Sequence, residues 1–324
     1  MASPRAAALW TGAEMATDSS WRVEIDADQR DDLCRATDAA LARGGSFAGI
    51  DRAGFALPSW AGLIARARHD VEDGRGFVLL RGLPVTRYAP AELEVMFLGL
   101  GTHLGTCVTQ TAAADLVCHV TDKGPVEGLR RGFQTNREAK FHVDLADAVG
   151  LLCIRQAKSG GQSLLLSSAR VYEALRLENP DALAILAHGF AWDRREEHGD
   201  GEDPVGPVVP VLGFHRERFR AIYNRNFNET VFKRWGTAMP TDARAALDAL
   251  DAVIAREEFH LPMDFRPGDV QLVSNETVLH ARTEYRDDPD APRHLLRLWW
   301  NFDRYADDAP LRPLPYGCLG RVAV

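Results

Sequence analysis

Histidine and a carboxylate stand two residues apart in Phe141-His142-Val143-Asp144, a spacing that suits two ligands of one metal ion. Alternate side chains of a β-strand point to the same face, so both groups would face the same ion. The triplet is weak on its own, because 10 histidines and 46 acidic residues should give roughly one or two such triplets by chance. Taken alone, it is better explained by a solvent-facing or internally hydrogen-bonded His142.

Two further triplets of this kind begin at His198 and His215. The first lies in a segment rich in Gly and Asp, which would have to become ordered before it could hold ligands in place. The second lies in a polar, hairpin-like stretch. We interpret both as chance matches.

A third candidate ligand, His280, ends a β-type run that follows the turn Pro267-Gly268-Asp269. Two imidazoles and one carboxylate bind one face of Fe(II) and leave three positions open, as O₂ activation beside a chelating co-substrate requires. A closed structural site would use four protein ligands. We therefore predict an Fe(II) site formed by His142, Asp144 and His280, which should weaken as its histidines protonate near about pH 6. The competing interpretation of His280 is a histidine at the rim of the fold.

Two arginines, Arg293 and Arg297, follow His280 in a β-type run and are four residues apart, so they should share a face. An inward guanidinium requires an anion, because a buried unpaired charge costs several kcal/mol and the guanidinium fork matches a carboxylate. The alternative is surface ion pairing with acidic residues at 287, 288 or 290.

The elements that must position these residues follow from the apolar pattern. Strands are predicted over 76–85, 151–155, 163–166, 270–273 and 295–302, helices over 90–104 and 241–258, a hairpin or sheet corner at 158–161, and an exposed loop over 196–210. Strands separated by irregular loops, with helices gathered at the front, favour an all-β core with α additions, such as a jelly roll with an N-terminal helical cap.

Length and composition narrow the class of protein. We predict one domain over residues 21–324, preceded by a disordered terminus over residues 1–20. The net charge of −8 argues against a nucleic-acid partner, and no apolar run reaches the roughly 20 residues that span a bilayer. Five widely spaced cysteines without a C-x-x-C pair favour a reducing cytoplasm. Whether the chain forms a homo-oligomer is left open.

Taken in order along the chain, these motifs resemble the taurine dioxygenase family, including its clavaminate synthase-like branch. The resemblance covers roughly residues 76–302 and is carried by segments 76–85, 141–144, 160–163 and 267–269, by His280, and by the pair Arg293 and Arg297. It implies a double-stranded β-helix in which His142, Asp144 and His280 bind iron. It further implies that Arg293, with Ser163, binds the distal carboxylate of 2-oxoglutarate, and that Arg297 faces the substrate or co-substrate.

The sequence departs from the family pattern at a few positions. Ser163 stands where many relatives have Thr, and Phe141 and Val143 differ from the residues that taurine-type members commonly carry around the ligands. These departures leave the iron chemistry intact but make taurine a doubtful substrate. The presence of Asp144 disfavours halogenation, for which this carboxylate position is vacated.

The activity implied is oxidation of a small-molecule C–H bond by Fe(II), 2-oxoglutarate and O₂, giving hydroxylation, desaturation or cyclisation together with succinate and CO₂. Arg297 suggests an anionic substrate, such as an amino acid or a natural-product intermediate. Two alternatives stay open: a zinc-dependent hydrolase that uses the same ligands, and a non-catalytic binding module on the same fold. Weaker candidates for the border of the site are Gln110, Asn136, Asn224 and Asn226.

Overall fold

The computed structural model describes residues 3–111, 113–124, 134–194, 201, 203–215 and 217–305. Helices in these residues are α1 (Gly12–Thr17), α2 (Ala27–Ala42), α3 (Ala61–Glu72), α4 (Pro90–Thr102), α5 (Ser168–Glu178), α6 (Pro180–His188), α7 (Arg225–Arg234) and α8 (Thr241–Ile254). Strands are β1 (Arg22–Glu24), β2 (Phe77–Arg81), β3 (Thr106–Val108), β4 (Val117–Val120), β5 (Ala139–His142), β6 (Ala148–Arg155), β7 (Ser159–Gly160), β8 (Ser163–Ser167), β9 (Phe190–Asp193), β10 (Val205–Val209), β11 (Leu212–His215), β12 (Arg218–Ala221), β13 (Leu261–Met263), β14 (Val270–Ser274), β15 (Val278–Arg282), β16 (Tyr285–Arg286) and β17 (His294–Asn301).

Two sheets form the centre of the fold. The major sheet has the order β1-β2-β14-β6-β17-β3, with β4 also paired to β17, and the minor sheet has the order β13-β8-β15-β5. Every pairing in these sheets is antiparallel except that of β1 with β2. The inner faces of the two sheets share one apolar cluster, so the predicted double-stranded β-helix with α additions is confirmed.

The alternation of side chains along β17 separates the core from the site. Leu296 and Trp300 point outward and pack in the cluster that includes α2, α3 and α4. Leu295 and Trp299 point inward and pack in the cluster between the sheets. Because Arg297 lies between these two inward positions, the period of two directs its side chain between the sheets as well.

Helices cover both outer faces of the sheets. The predicted N-terminal helical cap consists of α2, α3 and α4 on the major sheet, whereas α5, α6 and α8 pack on the outer face of the minor sheet. The predicted strand over 76–85 is found as β2, which lies in the major sheet. None of the described helices has the length and apolar character needed to cross a bilayer.

The expected disordered terminus over residues 1–20 differs from what the structure has at residues 3–20. These residues form a short 3-10 turn and α1, whose Thr11 and Glu14 form a capping box. Trp10 is buried against Phe77, and its indole N–H donates to the backbone oxygen of Arg75 at 2.7 Å. An aromatic anchor that is bonded to the sheet layer therefore orders this segment. A single domain over residues 21–324 stays a prediction.

Two loop predictions are settled by strand pairing. β6 lies in the major sheet and β8 in the minor sheet, so the turn at 158–161 is a sheet corner and not a hairpin. The expected exposed loop over 196–210 is wrong for residues 205–209, which form β10 and pair with β9. Residues 196–200 and 202 lie outside the described residues.

Candidate metal centre

The minor sheet brings the two histidines together. His142 ends β5 and lies directly opposite His280 on β15, and their ring centroids are 4.5 Å apart. His280 is on the inner face, because its neighbour Leu279 packs on the outside, and His142 shares that face as its partner across the two strands. His142, Asp144 and His280 form the one group of three potential metal ligands found in the described residues, with ligand atoms within 4.8 Å of one another.

The triplet predicted that Asp144 and His142 lie on the same face of one strand. In the structure, Asp144 instead follows the end of β5 and reaches the cluster from the segment after the strand. β5 ends at His142, and the N–H of Val143 donates to the backbone oxygen of Tyr223 at 2.9 Å. The Asp144 carboxylate then lies 4.0 Å from Nε2 of His142 and 3.6 Å from Nε2 of His280. The two-residue spacing thus correctly brought His142 and Asp144 together, but they meet at the end of a strand and not along it.

The Asp144 carboxylate is buried but kept ionised. Its Oδ2 accepts a hydrogen bond from Nε1 of Trp299 at 3.0 Å, and its Oδ1 lies 3.5 Å from Nη1 of Arg297. Although burial opposes ionisation, Arg297 and the two histidines hold the pKa of Asp144 well below its usual value. The cluster thus contains a negative charge before any cation arrives.

His142 is held in the form that coordinates a metal. Its Nδ1 lies 2.7 Å from the backbone oxygen of Lys140, which can only accept, so Nδ1 carries the hydrogen and the lone pair lies on Nε2. Burial, together with the neighbouring His280, lowers the pKa of His142 to about 4. The sequence predicted that His142 protonates at about pH 6, its ordinary range. In the structure this protonation is shifted to lower pH.

Asn275 holds the segment that carries Asp144, a role that the sequence did not reveal. Its Oδ1 accepts the N–H of Asp144 at 3.0 Å, its Nδ2 donates to the backbone oxygen of Ala146 at 3.0 Å, and its own N–H donates to the backbone oxygen of Asp147 at 2.9 Å. Asn275 is fully buried between β14 and β15. The only signal in the sequence was a polar Ser-Asn-Glu break within an apolar run.

Replacing Asn275 by alanine should weaken metal binding by about 10- to 100-fold, the usual cost of losing a partner that orients a ligand. The N–H of Asp144 would lose its acceptor, and the carboxylate would no longer be fixed toward the two histidines. Titration of the apo protein with Mn(II), with Asn226→Ala on the exposed side of α7 as the control, measures the effect. Unchanged Mn(II) affinity in a folded Asn275→Ala protein would exclude this role.

Arg293 lies just before β17 and is 4% exposed. Its Nη1 is buried and has no hydrogen-bond partner, and none of the ion pairs in the described residues includes it. The carboxylate of Asp287 accepts the backbone N–H of Arg293 at 2.7 Å and does not pair with the guanidinium. The alternative of surface ion pairing is therefore not found for Arg293 in the described residues. Burial lowers the pKa of Arg293, as expected for a cation without a matching anion.

Ser163 lies on the same inner side, on β8. Its hydroxyl contacts the side-chain amide of Gln271, with Oγ 3.2 Å from Oε1 and 3.1 Å from Nε2, across the two sheets. The adjoining turn requires glycine: Gly161 has φ +71°, and a Cβ there would lie 3.1 Å from Nε of Arg293. The backbone of the corner therefore packs closely against the guanidinium of Arg293.

Arg297 lies at a different place from Arg293. Its Nε donates to Oε1 of Gln110 at 2.7 Å, and its Nη1 points to Asp144. Nε2 of Gln110 donates in turn to the backbone oxygens of Arg297 at 2.9 Å and of Leu116 at 2.7 Å. Gln110, a weak candidate in the sequence, is thus a fully buried residue that positions Arg297.

The remaining candidates do not join the cluster. Asn136 contributes only its backbone oxygen, which accepts the N–H of Tyr285 at 3.0 Å. Asn224 precedes α7 and Asn226 lies exposed in its first turn, with no described contact to the three clustered residues. His215 ends β11 in a separate two-stranded sheet, and His198 lies outside the described residues.

Two histidines and one carboxylate on one side of a cation leave coordination positions for O₂ and a chelating acid. A double-stranded β-helix that holds such a cluster between its sheets defines the class of non-haem iron oxygenases. A model of the family described as taurine catabolism dioxygenase TauD, TfdA family matches residues 39–299. The chain belongs to this family.

Relatives by sequence agree with this assignment. FR-33289 synthase of Streptomyces rubellomurinus (strain ATCC 31215) is 32% identical over 303 residues, which are 91% of this chain and 89% of that protein. A uridine-5'-phosphate dioxygenase of Amycolatopsis sp is 30% identical over 192 residues, which are 57% of this chain and 66% of that protein.

Solved structures share the fold. The non-haem iron oxygenase OrfP in complex with Fe and alpha-ketoglutaric acid gives a TM-score of 0.65 at 18% identity, covering 90% of this chain and 99% of that chain. Asparagine oxygenase in complex with Fe(II), 2S,3S-3-hydroxyasparagine and succinate gives a TM-score of 0.65 at 20% identity, covering 87% of this chain and 93% of that chain.

The chain is accordingly an Fe(II)- and 2-oxoglutarate-dependent dioxygenase. The predictions of family, fold, enzyme class and cofactors are confirmed. Family membership sets aside the zinc-dependent hydrolase and the non-catalytic module.

Proposed function

We propose that His142, Asp144 and His280 are the protein ligands of Fe(II), and that Arg293 with Ser163 binds the distal carboxylate of 2-oxoglutarate. The observation that carries the proposal is a negatively charged three-ligand cluster together with a buried guanidinium, that of Arg293, whose Nη1 has no hydrogen-bond partner in the described residues. Arg293 supplies a positive charge that the described residues do not neutralise, which suits a dicarboxylic co-substrate.

The residues present fit the metal. The ionised Asp144 offsets one of the two charges of Fe(II), and His142 offers the lone pair of Nε2. Iron with bound 2-oxoglutarate supplies the oxidative chemistry of the family, in which O₂ is consumed and succinate and CO₂ are released. The chain supplies orientation: Trp299 and Asn275 fix Asp144 from two directions.

Anaerobic absorption spectroscopy tests the assignment. The apo protein mixed with Fe(II) and 2-oxoglutarate should show the weak visible charge-transfer band of the chelate, whereas Zn(II) with 2-oxoglutarate should show none. A well-folded protein that binds Fe(II) but gives no band with 2-oxoglutarate would contradict the proposed co-substrate site.

We further propose that the primary substrate is a small molecule with an anionic group that Arg297 contacts. Arg297 is 8% exposed and lies beside Asp144, with its guanidinium held by Gln110, so its charge is presented next to the proposed iron. The name of the related uridine-5'-phosphate dioxygenase indicates a phosphate-bearing substrate for that relative, which supports an anion here.

Succinate formation with a panel of nucleoside 5'-phosphates, phosphonates and amino acids should identify a substrate that carries an acid group. Arg297→Gln should then raise KM for that compound by about 10-fold or more, the cost of losing a charge-assisted contact. Affinities for Fe(II) and 2-oxoglutarate serve as the internal control. An unchanged KM with both affinities intact would rule Arg297 out as the anion-binding residue.

The proposal includes a cytoplasmic location and no nucleic-acid partner. Four described cysteines are buried and free, which supports a reducing compartment. The net charge of −8 argues against binding to a phosphate backbone.

A further inference from the structure

The hydroxyl group of Tyr285 is buried and has no hydrogen-bond partner in the described part of the chain. The residue is 1% exposed and lies in β16, which pairs with β7 at the sheet corner. A buried hydroxyl without a partner loses its hydration and gains nothing in exchange, at a cost that native folds usually avoid. Such a group is expected to have a partner in the working protein.

Tyr285 is flanked by two arginines. The guanidinium carbon of Arg293 lies 5.0 Å from the centroid of the ring, and that of Arg282 lies 4.9 Å from it. Arg282 is on the inner face of β15, two residues after His280, and its Nη2 donates to the backbone oxygens of Thr135 and Arg137. The ring is therefore held between two cations, one of which is on the same strand as His280.

The missing partner must accept hydrogen bonds. Nη1 of Arg293 can only donate, so where the Tyr285 hydroxyl accepts from this guanidinium, the hydrogen of the hydroxyl still lacks an acceptor. Arg293 also carries a buried positive charge, and none of the ion pairs in the described residues includes it. A carboxylate has two oxygens and one negative charge, and so satisfies both donors and the charge.

The backbone of the sheet corner approaches Arg293 and Tyr285 closely. Gly160 and Gly161 have φ of +72° and +71°, and a Cβ on Gly161 would lie 3.1 Å from Arg293 and 3.3 Å from Cβ of Tyr285. A larger residue at this position would press on the guanidinium of Arg293 and on Cβ of Tyr285. The two glycines thus permit the close arrangement of Tyr285 and Arg293 beside Ser163.

We propose that Tyr285 donates its phenolic hydrogen to the distal carboxylate of 2-oxoglutarate, alongside Arg293, and is a specificity-determining residue for the co-substrate. This inference rests on the proposed function, because it requires that 2-oxoglutarate binds next to Arg293. Arg282 acts through Tyr285 as a positioning residue, since its guanidinium is occupied by backbone oxygens and stacks on the ring.

The test compares two keto acids in two variants. Tyr285→Phe removes only the hydroxyl, and Tyr172→Phe, in the outer helix α5, is the matched control. Binding of 2-oxoglutarate and of pyruvate, which lacks the distal carboxylate, is measured calorimetrically on the Mn(II)-loaded proteins without O₂. Tyr285→Phe should raise Kd for 2-oxoglutarate by about 10-fold, as for loss of a hydrogen bond to a charged group, and leave Kd for pyruvate unchanged. Tyr172→Phe should change neither.

The melting temperature of the apo protein provides a second measurement. Because the hydroxyl has no partner without the co-substrate, apo Tyr285→Phe should be as stable as the wild type or more stable. A destabilised or unfolded variant would give the hydroxyl a structural role and overturn the inference.

The binding experiment separates this inference from the proposed function. Wild-type protein that fails to bind 2-oxoglutarate would overturn the co-substrate site itself, and Tyr285 with it. If the wild-type protein binds 2-oxoglutarate, two results would overturn the role of Tyr285 alone. One is an unchanged Kd for 2-oxoglutarate in Tyr285→Phe, and the other is an equal rise in Kd for 2-oxoglutarate and for pyruvate.

Discussion

Asp144→Ala and His280→Ala are each expected to abolish the charge-transfer band of Fe(II) with 2-oxoglutarate. Loss of a direct ligand should exceed the roughly 10- to 100-fold cost of losing an outer partner, so metal affinity should fall by more than about 100-fold. Asp144→Ala should have the larger effect, because it removes the only carboxylate of the cluster and leaves the charge of Arg297 facing the cation.

Metal titration and anaerobic spectra measure these losses directly. His188→Ala is the matched control, since His188 is exposed at the end of α6 and removes an imidazole far from the cluster. Far-UV circular dichroism shows whether the variants are folded, a necessary check because Arg297 loses a partner in Asp144→Ala. A folded Asp144→Ala protein with wild-type metal affinity and an intact band would refute the ligand assignment.

Arg293→Ala is expected to raise Kd for 2-oxoglutarate by about 100-fold or more while metal affinity is kept. Truncating one partner of a buried, hydrogen-bonded charge pair costs roughly 2–5 kcal/mol, because the other charge stays buried and unpaired. Arg293→Lys should recover part of the binding, since an ammonium supplies the charge but not the two parallel hydrogen bonds of the fork.

The same calorimetric titration on Mn(II)-loaded protein measures this effect, with Arg176→Ala as control because Arg176 is exposed on α5 and pairs with Glu173. Apo Arg293→Ala should not be destabilised, since the guanidinium is buried without a hydrogen-bond partner for Nη1. Wild-type affinity for 2-oxoglutarate in Arg293→Ala would place the distal carboxylate elsewhere in the protein.

Much of the site could be predicted from the chain. The residue types at 142, 144 and 280 indicated iron, and the strand period of two correctly directed Arg297 inward. These features are local: ligand chemistry depends on side-chain type, and alternation depends only on the pleated backbone.

Contacts between distant segments could not be predicted in this way. Asn275 is 131 residues from Asp144 along the chain, and Gln110 is 187 residues from Arg297, yet both pairs share hydrogen bonds. The spacing of the two arginines predicted only a shared face, whereas in the structure Arg293 adjoins Tyr285 and Arg297 adjoins Asp144. The order of residues 3–20, where a disordered terminus was expected, has the same origin, since Trp10 contacts Phe77 and donates to the backbone oxygen of Arg75.

The sequence by itself therefore determined the chemistry, namely the three candidate ligands, the inward arginines and the strands that carry most of them. Only the tertiary structure decided which buried groups are paired. Hydrogen-bond partners and burial arise when strands from distant parts of the chain are brought together, and no local period encodes that pairing. The unpartnered donors of Arg293 and Tyr285 became visible only when every neighbour was in place.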